Sequence, residues 1–246
     1  MRSFVICILI VFFIQSCKTQ TKSDFDCFNG PQLFLKYNQK VSGYDVKVMW
    51  FPGVDVRGPA ILCFEGEEKT FKVFSGNFED YSAYDKYLAD GVNVISTDYQ
   101  HNKEGEILSS STPFFFSDID FDGKDELLIS NINCGVRGVT TYDVYKIVNG
   151  NDGTFSEGIE RMMEKPLSNL NSLSKLDPTE KTVTLVDFST RYNNSVSVYQ
   201  KEIQTADFLL IEEEVVSNDT YFHYKRVDGQ LKLIEKKTID WDTWEQ

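Results

Sequence analysis

The sequence predicts a mainly β protein: a single antiparallel all-β domain, meander, sandwich or propeller-like, with one short helix. Three observations carry that expectation. Apolar residues alternate with polar ones along much of the chain, the pattern of half-buried strands. Phe (19) and Tyr (12) are abundant among the 246 residues and suit a pleated surface. Dense turn chemistry at Glu65-Gly66-Glu67-Glu68, Asn149–Gly153 and Asp228-Gly229 separates the runs.

Residues 1–16 read as a lipoprotein signal peptide. Arg2 and the amino terminus form a positive start, and Phe4–Ile14 is an unbroken apolar run. A bilayer span needs about 20 apolar residues, so this run is too short for a stable anchor and fits a signal core. It closes on Ile14-Gln15-Ser16-Cys17, which resembles a bacterial lipobox with Cys17 as the lipidated residue; Gln15 departs from the small or apolar residue usual there. Acyl chains on Cys17 would tether the chain to a membrane. Residues 17–30 are the lipidated Cys and a polar leash, and 31–246 are expected to form the all-β domain. Lys18 directly after the Cys, by resemblance to other bacterial lipoproteins, implies the outer membrane, with the domain facing the periplasm or the cell surface.

Within the domain, Leu33–Tyr37 and Tyr44–Trp50 alternate cleanly. Ala60–Phe64 and Lys69–Ser75 flank the Glu-Gly-Glu-Glu turn as a hairpin. Glu79–Ala89 is the helix candidate, closed by Asp90-Gly91. Val92–Asp98, Pro113–Ser117, Glu126–Ser130 and Val139–Val148 are strand-like. Residues 156–180 are weakly periodic, and Pro166 and Pro178 bracket a loop or short helix. Thr182–Phe188, Ser195–Ile203, Phe208–Val216 and Tyr221–Val227 follow, and Asp228-Gly229 turns a two-residue hairpin into Leu231–Lys237. Glu212-Glu213-Glu214 reads as a charged sheet edge that blocks strand-to-strand aggregation.

Charge and residue counts narrow the function. Lys+Arg 25 against Asp+Glu 38 gives −13, which excludes a nucleic-acid binder because phosphate neutralisation needs a basic face. His101 and His223 are the two histidines, too few for a histidine metal site, and neither sits in a context that would pair it with a nucleophilic Cys. Cys27, Cys63 and Cys134 follow the signal; Cys63 and Cys134 either bridge or stay as buried thiols. The common serine-hydrolase, zincin and P-loop strings are absent. The reading is a binding protein, not an enzyme.

One segment carries chemistry. Phe114–Asn131 reads FFFSDIDFDGKDELLISN, with Asp118, Asp120 and Asp122 at every second position, then Gly123 and Glu126. Carboxylates at loop positions 1, 3 and 5 converge on a hard cation, Gly at 6 permits the sharp turn, the Lys124 carbonyl at 7 can point inward, and Glu126 at 9 adds an oxygen. Position 12 is Ile129 rather than a bidentate Glu, and both flanks are strand-like. The expected ligand is therefore calcium in a strand–loop–strand site, pinning two strands. Three carboxylates so close repel one another unless a cation intervenes.

The loop is similar to those of FG-GAP repeats, and the order of features around it extends the likeness. The Glu-Gly-Glu-Glu hairpin, the apolar Val92–Ser96 run, SDIDFDGKDELLI, TYDVYKI and the closing YFHYKRVDGQLKLIEKK together resemble a family of bacterial periplasmic proteins and lipoproteins with a single FG-GAP-like calcium loop. Some members are similar to periplasmic inhibitors of invertebrate-type lysozyme, and others to immunity proteins against cell-wall-degrading effectors. The resemblance implies metal ligation by Asp118, Asp120, Asp122, Lys124 through its carbonyl, and Glu126. It also implies a basic cell-wall lytic enzyme as partner. The Ser-Gly-x-Tyr motif of the inhibitors is not matched: the nearest strings are Ser75-Gly76-Asn77-Phe78 and Ser42-Gly43-Tyr44. The leading expectation is thus a lipid-anchored calcium-binding envelope protein of inhibitory or immunity type. A surface lipoprotein binding glycan or peptide ranks second, and a hydrolase with a carboxylate pair third.

Overall fold

A computed structural model describes residues 30–100, 108, 112–132, 139–148, 158–188 and 193–241. The signal, Cys17, Cys27, Cys134 and the Asn149–Gly153 turn lie outside the described residues. Three sheets stack, none of them closed into a barrel. The first runs β4-β3-β2-β1-β5, from β1 (Leu33–Tyr37), β2 (Asp45–Trp50), β3 (Gly58–Glu65), β4 (Thr70–Phe78) and β5 (Val94–Thr97). The second is β6 (Phe114–Ser117), β7 (Glu126–Ile132), β8 (Thr140–Ile147) and β9 (Ile159–Arg161). The third is β10 (Lys175–Asp177), β11 (Thr182–Phe188), β12 (Asn193–Lys201), β13 (Phe208–Ser217), β14 (Thr220–Val227) and β15 (Gln230–Thr238).

The helix expected after β4 is α1, Tyr81–Asp90. The Asp80 carboxylate caps it by accepting the Ala83 N–H at 3.0 Å, and Gly91 ends it at φ 65°, a left-handed turn that costs glycine little. This crossover returns the chain to the far edge of the first sheet, where β5 pairs with β1 in parallel, Phe34 against Val94 and Leu35 against Ile95. That single pair departs from the purely antiparallel expectation. Parallel neighbours require a long connection of this kind, and the helix supplies it.

The middle sheet explains the packing of the other two. On β6 and β7, successive side chains point to opposite faces, and both faces are buried. Phe114, Leu127, Ile129 and Tyr145 join Leu35, Trp50, Phe64 and Phe71 of the first sheet in one core. Phe115, Leu128, Tyr142 and Val144 join Val183, Leu185 and Tyr199 of the third sheet in another. This is why Phe114-Phe115-Phe116 and Leu127-Leu128-Ile129 are continuous apolar runs rather than alternating ones. Rings fill the first core: Phe64 stands edge-on to Phe114 at 5.4 Å and Trp50 edge-on to Phe78 at 5.4 Å.

One local expectation is filled in and a second is revised. Residues 156–180 hold β9, β10 and a 3-10 turn at Leu167–Asn169, with Leu167 and Leu170 buried in the second core. Backbone bonds from Tyr142 N–H to the Leu170 carbonyl (3.1 Å) and from Ser172 N–H to the Thr140 carbonyl (2.8 Å) hold this stretch along β8. Glu212-Glu213-Glu214 lies on β13, which is flanked by β12 and β14, so it is no edge. Its acids are used by neighbours: Glu212 meets His223 at 2.7 Å, and Glu213 accepts from the Ser197 hydroxyl at 3.2 Å. Cys63 is buried within β3.

Because adjacent phenylalanines serve different cores, Phe114→Ala and Phe115→Ala are each expected to cost about 3–5 kcal/mol. Phe74→Ala, at a side chain 44% exposed, should cost less than about 1 kcal/mol. Urea unfolding of the three variants checks this; a Phe115→Ala cost as small as that of Phe74→Ala would contradict the shared middle layer.

Candidate metal centre

The acidic loop is the connection between β6 and β7, Asp118 to Asp125, and closes on Glu126, the first residue of β7. Its conformation is set by its own carboxylates. Asp118 Oδ1 accepts the Asp122 N–H at 3.1 Å and Oδ2 the Gly123 N–H at 3.0 Å. Asp120 Oδ1 also accepts the Asp122 N–H at 3.0 Å, and Asp122 Oδ1 accepts the Lys124 N–H at 2.9 Å. Short acidic side chains folding onto nearby N–H groups are the usual means of holding a tight polar turn.

Two residues take left-handed backbone. Gly123 has φ 85°, where any side chain would be strained although there is room for one. Phe121 has φ 60° despite its side chain, and its ring meets Phe208 of β13 at 6.1 Å. Contact with the third sheet thus helps hold the loop in a conformation that costs Phe backbone energy.

The structure brings three of the expected ligands together. Oxygens of Asp118, Asp120 and Glu126 lie within 4.8 Å of one another. Asp120 is 6% exposed and Glu126 1% exposed, so two of the three are held out of water. Asp122 stands apart: besides accepting from Lys124, it pairs through Oδ2 with Lys146 at 2.8 Å. Lys124 contributes an N–H to the turn, and its side chain points to solvent.

Two residues were not found from sequence. Lys146 of β8 bridges Asp120 Oδ2 and Asp122 Oδ2, each at 2.8 Å. Lys201, at the end of β12, lies 3.4 Å from Asp120 Oδ1 and donates to the Asp120 backbone carbonyl. They stand 26 and 81 positions from Asp120, and no spacing rule reaches across two sheets. The register of β8 offered a partial signal, since Lys146 follows the alternating Tyr142, Val144 face.

The electrostatics follow from this arrangement. Burial pushes the Glu126 carboxyl up from 4.5 to about 7, and Asp120 adds to the rise; the Ile119 N–H at 3.1 Å and Lys146 offset part of it. Burial also raises Asp122, but the Lys146 ammonium and the Lys124 N–H outweigh it and hold this carboxyl below its ordinary value. Lys146 loses some charge stability to burial and regains more from Asp120 and Asp122, so it is held above the usual lysine range. Four carboxylates here face the ammonium groups of Lys146 and Lys201 and, from the solvent side, Lys124, which leaves an excess of negative charge. All-oxygen donors of this kind suit a hard divalent cation such as calcium. Asp120 and Lys146 also line a cleft of about 480 Å³ with Arg161, Met162, Met163 and Phe208, so the loop is reachable from solvent.

The strings nearest the inhibitor motif sit elsewhere. Ser75 is buried in β4, and Ser42-Gly43 forms a turn between Val41 and Tyr44 with φ of 48° and 86°.

No family model matches the chain, and no curated protein matches it. Among solved structures it is similar to one described as a Xanthomonas type IV secretion system related protein. The two share 14% identity with a TM-score of 0.49, over 82% of this chain and 93% of that one.

The raised Glu126 carboxyl makes stability pH-dependent in cation-free buffer. The folded state keeps the proton to about pH 7 while the unfolded state releases it near 4.5. The associated stability is therefore full below 4.5, falls as pH rises between 4.5 and about 7, and stays lost above. Glu126→Gln, which is neutral throughout, should gain on the wild type across that window. Unfolding free energies of both proteins from pH 4 to 8 check this; a constant difference would contradict it.

Proposed function

We propose that the chain is a lipid-anchored envelope protein whose β6–β7 loop binds calcium as a structural ion, and that it acts by binding and inhibiting a basic cell-wall lytic enzyme. The observation that carries the metal reading is the convergence of Asp118, Asp120 and Glu126 at the mouth of the buried middle sheet. Calcium would take oxygens from these three, with Asp122 able to join once Lys146 is displaced. Its work would be to fix the turn between two strands that both cores share. The ion's proposed role is structural, because its ligands sit at the turn between β6 and β7 and one of them, Glu126, is as buried as the strand it opens.

The partner reading draws on charge and on resemblance. A chain at −13 attracts a basic protein and speeds the encounter. The likeness of the loop and its flanking features to lysozyme-inhibitor and immunity proteins points to a muramidase-like target. The anchor rests on MRSFVICILIVFFIQSC; no helix among the described residues is long and apolar enough to cross a membrane.

Two experiments test the halves separately. Calcium should raise the melting temperature, and Asp120→Ala should abolish the rise; identical wild-type melting in EDTA and in excess calcium would refute the metal site. Because Glu126 must lose its proton to ligate, calcium affinity should climb about tenfold from pH 6 to pH 8. For the partner, stoichiometric addition of the chain should suppress lysis by a basic muramidase. Undiminished lysis at saturating protein would overturn the inhibitory role.

A further inference from the structure

β9 is the last strand of the middle sheet, and its pairing with β8 fixes which of its main-chain groups face outward. Val148 N–H donates to the Gly158 carbonyl at 3.0 Å, and Met162 N–H donates to the Val144 carbonyl at 2.9 Å. In an antiparallel ladder, residues with bonded and outward-turned main chain alternate. Gly158, Glu160 and Met162 therefore turn toward β8, while Ile159 and Arg161 turn their N–H and C=O groups to the open edge. Among the described residues, nothing hydrogen-bonds to those four groups. The long edge at β15 is protected differently. It carries an irregularity in its pairing at Ile234 and lysines at 232, 236 and 237, features that deter a further strand. β9 pairs without irregularity and holds no lysine.

The cleft of about 480 Å³ lies beside this edge. Residues 160–165 line one side of it, and residues 206–208, which lead into β13, line another. Met162, Met163 and Phe208 supply an apolar lining, and methionine side chains adapt to the shape they meet. The charge of the lining is unbalanced. Lys146 stands opposite Glu160 in register but turns its ammonium to Asp120 and Asp122, each at 2.8 Å. Arg161 is engaged by Asp143. Glu160, Glu164 and Asp207 are exposed and form no ion pair among the described residues, and of the lining cations only Lys165 is left to answer them.

An open strand edge asks for main-chain donors and acceptors, and the acidic, partly apolar cleft beside it selects the side chains that come with them. An extended polypeptide of basic character meets both demands. We propose that the β9 edge accepts such a segment of a partner protein as a further strand of the middle sheet. Main-chain bonds to Ile159 and Arg161 would supply affinity. Side chains at every second position of the added strand would share the face of Glu160 and Met162, so the segment recognised carries a basic residue two positions from an apolar one. The inference requires neither the calcium site nor the inhibitory role.

The test titrates the full chain, in EDTA, with the peptide Thr-Lys-Thr-Leu-Thr-Lys-Thr, which places Lys and Leu on one face of a strand. At saturation, hydrogen exchange of the Ile159 and Arg161 amides should slow by about tenfold. The same peptide with Glu for Lys should not produce this protection. A version N-methylated at every amide keeps the charges and lacks the donors, and it should bind about tenfold more weakly. The triple variant Glu160→Gln, Glu164→Gln, Asp207→Asn alters exposed positions only, and a melting temperature equal to wild type confirms its fold. Its affinity for the Lys peptide should also fall about tenfold. Protection that appears on β15 instead of β9, or on no strand, would overturn the proposal. So would equal binding of the Lys and Glu peptides, or a fully N-methylated peptide that binds as tightly as its parent.

Discussion

The constraint on which the rest of this structure depends is that the β6–β7 hairpin is dry on both faces. Phe114 and Phe115 are neighbours in sequence and belong to different cores, as do Leu127 and Leu128. The first sheet packs on one side of this layer and the third sheet on the other. Neither outer sheet needs the other directly. The geometry of the hairpin, including the turn at its end, therefore propagates to both.

That turn is where a dry layer meets charge. Glu126 opens β7 and is as buried as the leucines that follow it. A carboxylate so placed is costly unless hydrogen bonds and cations attend it. The Ile119 N–H, Lys146 from the same sheet and Lys201 from the third sheet, acting on Asp120, provide part of that compensation. The loop is thus an electrostatic link between the second and third sheets, and Phe121 on Phe208 is its apolar counterpart. A divalent ion in the proposed site would strengthen a junction the lysines already make.

Much of this was legible in the sequence. Alternation located β1, β2 and the later strands, and Asp90-Gly91 marked the end of the helix, whose expected span of Glu79–Ala89 lies close to the observed Tyr81–Asp90. The Asp-x-Asp-x-Asp-Gly pattern located the acidic loop because its spacing is local. What escaped was non-local. The parallel β1–β5 pair depends on where a crossover lands, and Lys146 and Lys201 reach Asp120 only through the stacking of sheets. Glu212–Glu214 looked like an edge because charge is common there, yet His223 and Ser197 take up Glu212 and Glu213 inside the sheet. The edges of that sheet are β10 and β15, and β15 reads as an ordinary strand that shows its exposed aliphatics only once its neighbours are known.

The central claim is that the middle hairpin makes two cores one cooperative unit. Native-state hydrogen exchange tests it most directly. The amides of Leu62 in the first sheet and Leu185 in the third should exchange through the same global opening, with equal free energies that rise together when the loop is occupied by calcium. Two distinct free energies, or a calcium effect confined to residues 118–126, would contradict the account.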